Sequence, residues 1–188
     1  LYKKQRLVPF GEYIPLSGML KWVLPAMQND VSMSGFSRGE ANQKPLIVKG
    51  HALAAAICYE VAYPNLTRRN ASNSDFLITV SNDAWFTGTA GPWQHLQMVQ
   101  MRAKENGRWF IRATNTGVTA FIDHNGHIVK QAPLDEAFVL RGDLPAMQGK
   151  TLYSRFSDYP ILIFSILLLV VGWIYRPRKV DVSLKSRR

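Results

Sequence analysis

Short apolar runs alternate with amphipathic stretches over about the first 130 residues of the chain. Six of these runs have the length and the bounding polar or glycine residues that are typical of β-strands. They are Lys44–Lys49, Ala52–Cys58, Phe76–Ser81, Trp109–Ala113, Val118–Asp123 and Ile128–Gln131. The pair Asn125-Gly126 between the last two runs is a strong signal for a β-hairpin.

Two segments between these runs are predicted to be helices. Pro64–Ser72 begins with a proline, which suits the first turn of a helix. Pro92–Asn106 carries apolar residues at helical spacing, and Gly107 follows it as a stop signal. Strands that alternate with helices in this way predict an α/β body with a mixed sheet.

A long apolar segment follows this body. Tyr159–Tyr175 reads YPILIFSILLLVVGWIY and contains no charged residue over 17 positions, the short end of what spans a bilayer as a helix. The alternative is a buried core helix, but such a helix normally has a polar face, and here only Ser165 and Gly172 interrupt the apolar surface. Aromatic residues at both ends and a basic cluster directly after it favour a transmembrane helix.

The formal net charge of +10 indicates nucleic acid or an anionic membrane as a partner. The positions of the basic residues along the chain decide between the two. Residues 176–188 hold six basic residues and one acid, which is half of the net charge. The body has no basic helix face interleaved with aromatics and no zinc-finger spacing, so nucleic-acid binding is not expected. With 159–175 as a span, the positive-inside rule places this tail in the cytoplasm and residues 1–158 on the outer, periplasmic side.

Met27–Gln43 is rich in Ser, Gly and Asn and predicts a long surface loop. Loops of this length often serve as lids or linkers. Next to a lipid surface, a mobile flap is one interpretation of this loop, and the sequence does not decide its role.

Cys58 is the chain's only cysteine, which excludes an internal disulfide and a cysteine-based zinc site. The four histidines lack compact metal-ligand spacing, so neither a metal nor a cofactor is predicted. Cys58 ends the small-residue run ALAAAIC just before a predicted helix, as in a nucleophile elbow, where backbone N–H groups face an oxyanion. Taken alone, this pattern favours a buried core thiol over a nucleophile.

Several motifs occur in a fixed order along the chain: YKKQRLVPFGEYIP, AICYE, SNDAWF, GPWQHLQMVQMRAKENGR and ATNTGVTA. Together they resemble the C-terminal half of bacterial apolipoprotein N-acyltransferases, a branch of the nitrilase superfamily. The resemblance implies the C-terminal part of a nitrilase-like α-β-β-α sandwich over residues 1–158. One transmembrane helix at 159–175 and a basic cytoplasmic tail at 176–188 are expected to follow.

The resemblance also implies a Glu-Lys-Cys triad with Cys58 as nucleophile and Lys4 as the lysine. The triad glutamate is expected upstream of the first residue, so neither Glu12 nor Glu60 is given that role, and this chain alone is expected to be inactive. Glu12 is expected to be a second carboxylate near the lysine, and Glu60, with Tyr59, to support the elbow or the substrate. The alternatives are a surface lysine, a turn-capping carboxylate and a charge at a helix N-terminus.

Two further groups of polar and aromatic residues are candidates for the site. Asn82, Trp85 and Phe86 follow a predicted strand and are expected to line an acyl or headgroup pocket at the rim, with structural packing as the alternative. His95 and Arg102 lie seven residues apart on one predicted helix face. A single histidine there is more often a satisfied polar group than an acid–base catalyst, so neither receives a catalytic role.

The implied reaction moves a fatty acyl chain from a phospholipid to Cys58 as a thioester. The chain then passes to the free α-amino group of the diacylglyceryl-cysteine that begins an apolipoprotein. A phospholipid, an apolipoprotein and the membrane are therefore the expected partners of a monomeric inner-membrane enzyme. Lys4, held charged by carboxylates, would stabilise the thiolate and the oxyanion.

Two other functions use the same residues. The first is a nitrilase-type amidase for a small soluble amide, against which the apolar segment 159–175 argues. The second is a non-catalytic, membrane-anchored binding module with a structural cysteine, against which Lys4 and the CYE motif argue.

Overall fold

The computed structural model describes residues 1–13, 15–16 and 36–176, and the chain divides into two compact units, Leu1–Arg155 and Phe156–Arg188. Among the described residues, the first unit contains one six-stranded sheet whose strands are adjacent in chain order. The strands are β1 (Leu46–Val48), β2 (His51–Ile57), β3 (Phe76–Ser81), β4 (Trp109–Thr114), β5 (Ala120–Ile122) and β6 (Ile128–Gln131).

The sheet is mixed, as the sequence predicts. β2, β3 and β4 are parallel, whereas β1, β5 and β6 pair antiparallel with their neighbours. The parallel strands are joined through α1 (Pro64–Ala71) and α2 (Gly91–Asn106). Right-handed crossovers between sequentially ordered strands put both helices on the same face, where α1 and α2 contact each other. The carboxyl ends of β2, β3 and β4 therefore meet at one edge of the sheet.

The hydrophobic core lies between the sheet and these two helices. Its most deeply buried apolar side chains are Val61, Leu77, Leu96, Val99, Phe110, Val118 and Ile122. Burying a side chain of this size contributes about 1.5–3 kcal/mol each. The opposite face of the sheet is also apolar but only half-buried, with Ala55, Ile78 and Ile111 in register across the three parallel strands. The described residues thus form one sheet and one helical layer of the predicted sandwich.

The predicted strands and helices are all present, with small shifts at their ends. β1 is shorter than predicted because Lys49 and Gly50 both have positive φ and turn the chain into β2. Gly107 ends α2 in the left-handed conformation with φ 59°, as expected of a C-terminal cap. The hairpin between β5 and β6 is confirmed.

The hairpin loop is longer than the Asn125-Gly126 pair alone suggests. The Asp123 carboxylate accepts hydrogen bonds from the backbone amides of Asn125 (2.9 Å) and His127 (2.8 Å). Its backbone carbonyl also accepts from the Gly126 amide at 3.0 Å. Burial alone would raise the pKa of the Asp123 carboxyl, but the hydrogen bonds from the two amides and the hydrogen bond and charge of the His127 side chain outweigh it and lower that pKa.

The predicted loop at Met27–Gln43 is described only from residue 36 onward. Residues 36–43 contain neither helix nor strand, in agreement with the prediction. The Gly39 amide donates to the Lys4 carbonyl at 2.7 Å, and the Gln43 side chain bonds both backbone groups of Lys3. The described end of the loop is therefore attached to the segment that carries Lys4, while a role as a flap stays one interpretation.

The first unit ends within the short helix α3 (Leu152–Phe156), and the second unit contains α4 (Tyr159–Ile174). The apolar side chains of α4 are exposed. In the described part of the chain, no helix is long and apolar enough to cross a membrane, so the predicted transmembrane helix at 159–175 is not supported. The 16 residues of α4 extend about 24 Å, less than the roughly 30 Å hydrocarbon core of a bilayer. The basic tail lies outside the described residues from 177 onward.

Candidate active site

Cys58 directly follows β2 and begins a 3₁₀ turn, Cys58–Ala62, that leads into α1. Its φ is 54°, a left-handed conformation that is uncommon for a residue with a side chain. The thiol is free and partly exposed. A strained residue at the end of a central parallel strand, followed by a turn and a helix, has the geometry of a nucleophile elbow.

Glu60 lies in the same turn and is fully buried. Its carboxylate accepts hydrogen bonds from the Tyr2 hydroxyl (3.0 Å) and the Ile57 amide (2.7 Å). It also accepts from the backbone amides of Gln5 (2.5 Å) and Arg6 (3.0 Å). These four hydrogen-bond donors offset the free-energy cost of burying the Glu60 carboxylate. Glu60 therefore joins the Cys58 turn to the N-terminal segment.

The same contacts change the chemistry of Tyr2. Burial, together with the charge of Glu60 and the hydrogen bond to it, raises the pKa of the Tyr2 hydroxyl far above its usual value. Tyr2 is thus held as a neutral donor to Glu60 throughout the ordinary pH range.

Lys4 and Glu12 form an ion pair with Nζ and Oε1 2.6 Å apart, and the two side chains are 12% and 24% exposed. The second oxygen of Glu12 accepts from the Val8 amide at 2.9 Å and closes the turn in which Phe10 has φ 61°. Glu12 therefore both caps a turn and neutralises the lysine. Because Glu60 binds the two amides directly after Lys4, the backbone segment that carries Lys4 is joined to the Cys58 turn.

The loops after β3 and β4 lie at the same edge of the sheet as Cys58. Asn82 Oδ1 accepts from the Ala84 amide (3.2 Å) and the Thr116 hydroxyl (3.1 Å), which joins these two loops. Trp85 is 80% exposed and Phe86 is 46% exposed. The hydrogen bonds of Asn82 are thus consistent with a structural role, whereas the rings of Trp85 and Phe86 are accessible to an apolar ligand.

Tyr59, beside the nucleophile, is also partly exposed and packs edge-on against Tyr63 with ring centroids 5.6 Å apart. Tyr59 therefore adds a third accessible ring at this edge. The structure records no hydrogen bond of its hydroxyl group among the described residues.

A cluster of buried polar side chains lies beneath the Cys58 turn. Asp83 Oδ1 accepts from the Ser81 hydroxyl (2.6 Å) and lies 2.9 Å from His95 Nδ1. Asp83 Oδ2 pairs with Arg112 Nη2 at 2.5 Å. The other ring nitrogen of His95, Nε2, lies 3.2 Å from the backbone carbonyl oxygen of Cys58. We call Asp83, His95 and Arg112 the buried triplet.

The charges of this triplet influence one another. Burial alone would raise the pKa of Asp83, but hydrogen bonds from His95 and Ser81 and the positive charges of His95 and Arg112 outweigh it and lower that pKa. For Arg112, burial lowers the pKa, and the negative charge of Asp83 and the hydrogen bond to it act in the opposite direction, as would a thiolate at Cys58. A thiolate at Cys58 would therefore interact favourably with the Arg112 guanidinium group.

The sequence did not single out Asp83 or Arg112, and it assigned no role to His95. A signal was present in the strand WFIRAT, where an arginine interrupts an otherwise apolar run, because fully buried arginines are rare unless paired. Arg102, on the same helix face as His95, pairs with Glu105 at 2.6 Å instead. Within residues 1–13, 15–16 and 36–176, no group of three potential ligand side chains could hold a metal ion.

Comparison with known proteins agrees with this geometry. The family model described as carbon-nitrogen hydrolase matches residues 1–151. The chain is 48% identical over 180 residues to an apolipoprotein N-acyltransferase of Azotobacter vinelandii, covering 96% of this chain and 34% of that protein. The corresponding protein of Photobacterium profundum is 41% identical over 179 residues, 95% of this chain and 34% of that protein. The chain thus spans about a third of the length of these relatives.

Solved structures of nitrilase-superfamily proteins are also similar. An amidase from Nesterenkonia sp. AN1 matches with a TM-score of 0.48 and 21% identity, covering 69% of this chain and 51% of that one. Nit3 of Saccharomyces cerevisiae matches with a TM-score of 0.47 and 22% identity, covering 54% and 40%. With the family model matching residues 1–151 and a mixed α/β nitrilase-like fold, the chain belongs to the carbon-nitrogen hydrolase family and is similar within it to apolipoprotein N-acyltransferases.

Proposed function

We propose that this chain contributes the nucleophile and the lysine of an N-acyltransferase, which moves a fatty acyl group from a phospholipid to the N-terminal amine of an apolipoprotein. The observation that carries the proposal is that Glu60 joins the strained Cys58 turn to the N-terminal segment in which Lys4 pairs with Glu12. The names of the relatives supply N-acyl transfer to an apolipoprotein, and the phospholipid donor is what the sequence resemblance to that family implies.

The first half-reaction forms a thioester. The Cys58 thiolate attacks the ester carbonyl of the phospholipid, so that a carbon–sulfur bond forms and the carbon–oxygen bond to glycerol breaks. The Lys4 ammonium and backbone N–H groups of the Cys58 turn stabilise the oxyanion of the tetrahedral intermediate. The glycerol oxygen leaves as a lysophospholipid and takes the proton that the thiol gave up, through the glutamate that the family uses as acid and base.

The second half-reaction consumes the thioester. The free α-amino group of the apolipoprotein's lipidated cysteine attacks the thioester carbonyl. A carbon–nitrogen bond forms, the carbon–sulfur bond breaks, and the amine proton passes to the same glutamate. A thioester is activated toward amines, and a site that excludes water limits its hydrolysis. Cys58 returns to its starting state for the next cycle.

The exposed aromatic residues near Cys58 fit such a substrate. Tyr59, Trp85 and Phe86 lie on the loops that follow β2 and β3, at the edge of the sheet where the nucleophile lies. Their accessible rings provide apolar surface for an acyl chain. We infer that the enzyme works at a lipid–water interface. The periplasmic placement predicted from the sequence depended on a membrane span and stays a prediction.

A substrate panel tests the proposal. The intact protein is incubated with phospholipid and a synthetic peptide that begins with diacylglyceryl-cysteine, and lysophospholipid and N-acylated peptide are quantified. We expect both products in equal amounts, and neither product in the Cys58→Ala variant. Ammonia release from small amides without lipid turnover would instead favour an amidase. Phospholipid binding without any product would favour a binding module.

A further inference from the structure

His95 lies between two hydrogen-bond acceptors. Its Nδ1 is 2.9 Å from a carboxylate oxygen of Asp83, and its Nε2 is 3.2 Å from the carbonyl oxygen of Cys58. A carboxylate oxygen and a backbone carbonyl oxygen only accept hydrogen bonds, and a neutral imidazole has a single N–H group. Both contacts are therefore hydrogen bonds only when the ring carries two protons, as an imidazolium.

The ring is buried among charged groups. His95 is 7% exposed and faces the Asp83 carboxylate from the loop after β3, which favours a positive ring, and Arg112 from β4, whose Nη2 lies 3.4 Å from Nδ1 and opposes it. With the ring as an imidazolium, Asp83 supplies one negative charge against the two positive charges of His95 and Arg112. Arg112 Nη1 is buried and has no hydrogen-bond partner among the described residues, so Asp83 does not saturate the guanidinium group. The buried triplet thus has a net positive charge next to the Cys58 turn.

Cys58 needs support of this kind for two reasons. Its left-handed φ of 54° costs about 1–2 kcal/mol for a residue with a side chain, so surrounding contacts must hold its backbone in place. Its thiol must also ionise before it can attack a carbonyl, and a nearby positive charge favours the thiolate. A hydrogen bond to the Cys58 carbonyl contributes to the first requirement, and the charge of the triplet contributes to the second.

We propose that His95 is a positioning residue for Cys58, which as an imidazolium braced by Asp83 holds the Cys58 carbonyl and keeps the turn in its reactive conformation. Arg112 fixes Asp83 from the other side and is itself fixed by the Val118 carbonyl at 2.9 Å. Only the effect on acyl transfer rests on the proposed function, because the reactivity of the Cys58 thiol can be measured without any substrate.

The first test measures alkylation of Cys58 by iodoacetamide in the intact protein, followed by mass spectrometry of the peptide that contains Cys58, from pH 6 to pH 9. For His95→Gln, which keeps a side-chain N–H donor but cannot carry charge, we expect a rate about tenfold lower at pH 7. The deficit should shrink toward pH 9, because the thiol then ionises without help. In the acyl-transfer assay, kcat should fall while KM for phospholipid stays unchanged.

Two control variants separate positioning from general structure. Leu96→Ala removes a fully buried core side chain next to His95 on α2 and should lower the melting temperature without changing the alkylation profile. His127→Gln replaces a histidine whose side chain is 77% exposed on the β5–β6 loop and should change neither property. Equal losses of alkylation rate in His95→Gln and Leu96→Ala, or no loss in a folded His95→Gln protein, would overturn the proposal.

A second measurement needs no variant at the site. In the wild-type protein labelled with ¹⁵N-histidine, the His95 ring should give the spectrum of an imidazolium at pH 7, with both nitrogens protonated. A neutral tautomer at that pH would overturn the proposal even if His95→Gln failed to fold. If acyl transfer is absent throughout but alkylation still depends on His95, the proposed function fails and the positioning role stands.

Discussion

Glu60 accepts hydrogen bonds from two separate parts of the chain, the N-terminal segment around Gln5 and the end of β2 at Ile57. The sequence predicted a supporting role for this residue beside Cys58, but its partners lie more than 50 positions away in the N-terminal segment and could not be identified from spacing. The Lys4–Glu12 pair is different, since its eight-residue separation within one motif makes it local. At the residue scale, local partners are therefore predictable and distant ones are not.

Replacing Glu60 with glutamine should loosen the connection between Lys4 and Cys58. The amide keeps one acceptor oxygen but loses the charge, and its NH₂ group faces donors. We expect the free energy of unfolding in urea, followed by tryptophan fluorescence, to fall by about 1–3 kcal/mol. Glu136→Gln, at an exposed position, should leave it unchanged. Equal stability of the two variants would show that the four hydrogen bonds to Glu60 contribute little.

The backbone conformation of Cys58 gives a second prediction at this scale. Alanine at position 58 keeps the left-handed penalty, whereas glycine does not. We expect Cys58→Gly to be more stable than Cys58→Ala by about 1 kcal/mol in thermal or urea unfolding, although both are inactive. A Cys58→Gly protein that is less stable than Cys58→Ala would argue against backbone strain at the nucleophile.

Strands and helices were the most predictable part of the structure, because hydrophobic periodicity is a local property. β3 and β6 have the predicted bounds, and α2 ends at the predicted glycine. The sequence could not show that the loops after β3 and β4 meet beneath the Cys58 turn. That contact depends on the parallel pairing of three strands, which brings Asp83 and Arg112 together from 29 positions apart.

A substitution at Gly117, in the loop between β4 and β5, tests the contact of this loop with Asp83. Gly117 has φ 118°, and a Cβ atom there would lie 2.7 Å from Asp83 Oδ2. We expect Gly117→Ala to destabilise the protein by about 1–3 kcal/mol beyond backbone strain, because Asp83 must move. Cys58 alkylation should slow in parallel.

Gly50→Ala is the matched control for this variant. Gly50 also has positive φ, 83°, but nothing lies within 4 Å of a Cβ atom there. This variant should cost only the backbone strain, about 1 kcal/mol, and leave Cys58 alkylation unchanged. Equal effects of Gly50→Ala and Gly117→Ala on alkylation would contradict a link between the β4–β5 loop and the nucleophile.

At the scale of the whole molecule, the sequence predicted the family and the mixed α/β fold but was wrong about a membrane span within the described residues. An uncharged run of 17 residues met the compositional requirement, whereas the helix itself, α4, has 16 residues. Ala55, Ile78 and Ile111 form a half-buried apolar face on the side of the sheet away from the two helices.

The dependence of stability on pH is also a property of the whole molecule. Asp83 has a lower pKa in the folded protein, so its ionisation adds stability that is fully present above the unfolded-state pKa of about 4. That stability is lost as the pH falls below about 4 toward the folded-state value. Asp83→Asn should cost about 3–5 kcal/mol at pH 7, because it leaves Arg112 buried without its partner.

In the Asp83→Asn variant, the free energy of unfolding in urea should fall less between pH 4 and pH 2 than it does in the wild-type protein. Asp143→Asn, at an exposed position, should keep the wild-type pH dependence. An Asp83→Asn protein with an unchanged acid slope would contradict a lowered pKa for Asp83.

The most direct test of the central claim is mass spectrometry of the intact protein after incubation with phospholipid. If Cys58 is an acyl-carrying nucleophile assisted by Lys4, the peptide that contains Cys58 will gain the mass of a fatty acyl group. Hydroxylamine will remove that group, and the Cys58→Ala and Lys4→Ala variants will lack it. Absence of an adduct with every phospholipid tested, in a protein that is folded, would contradict the account.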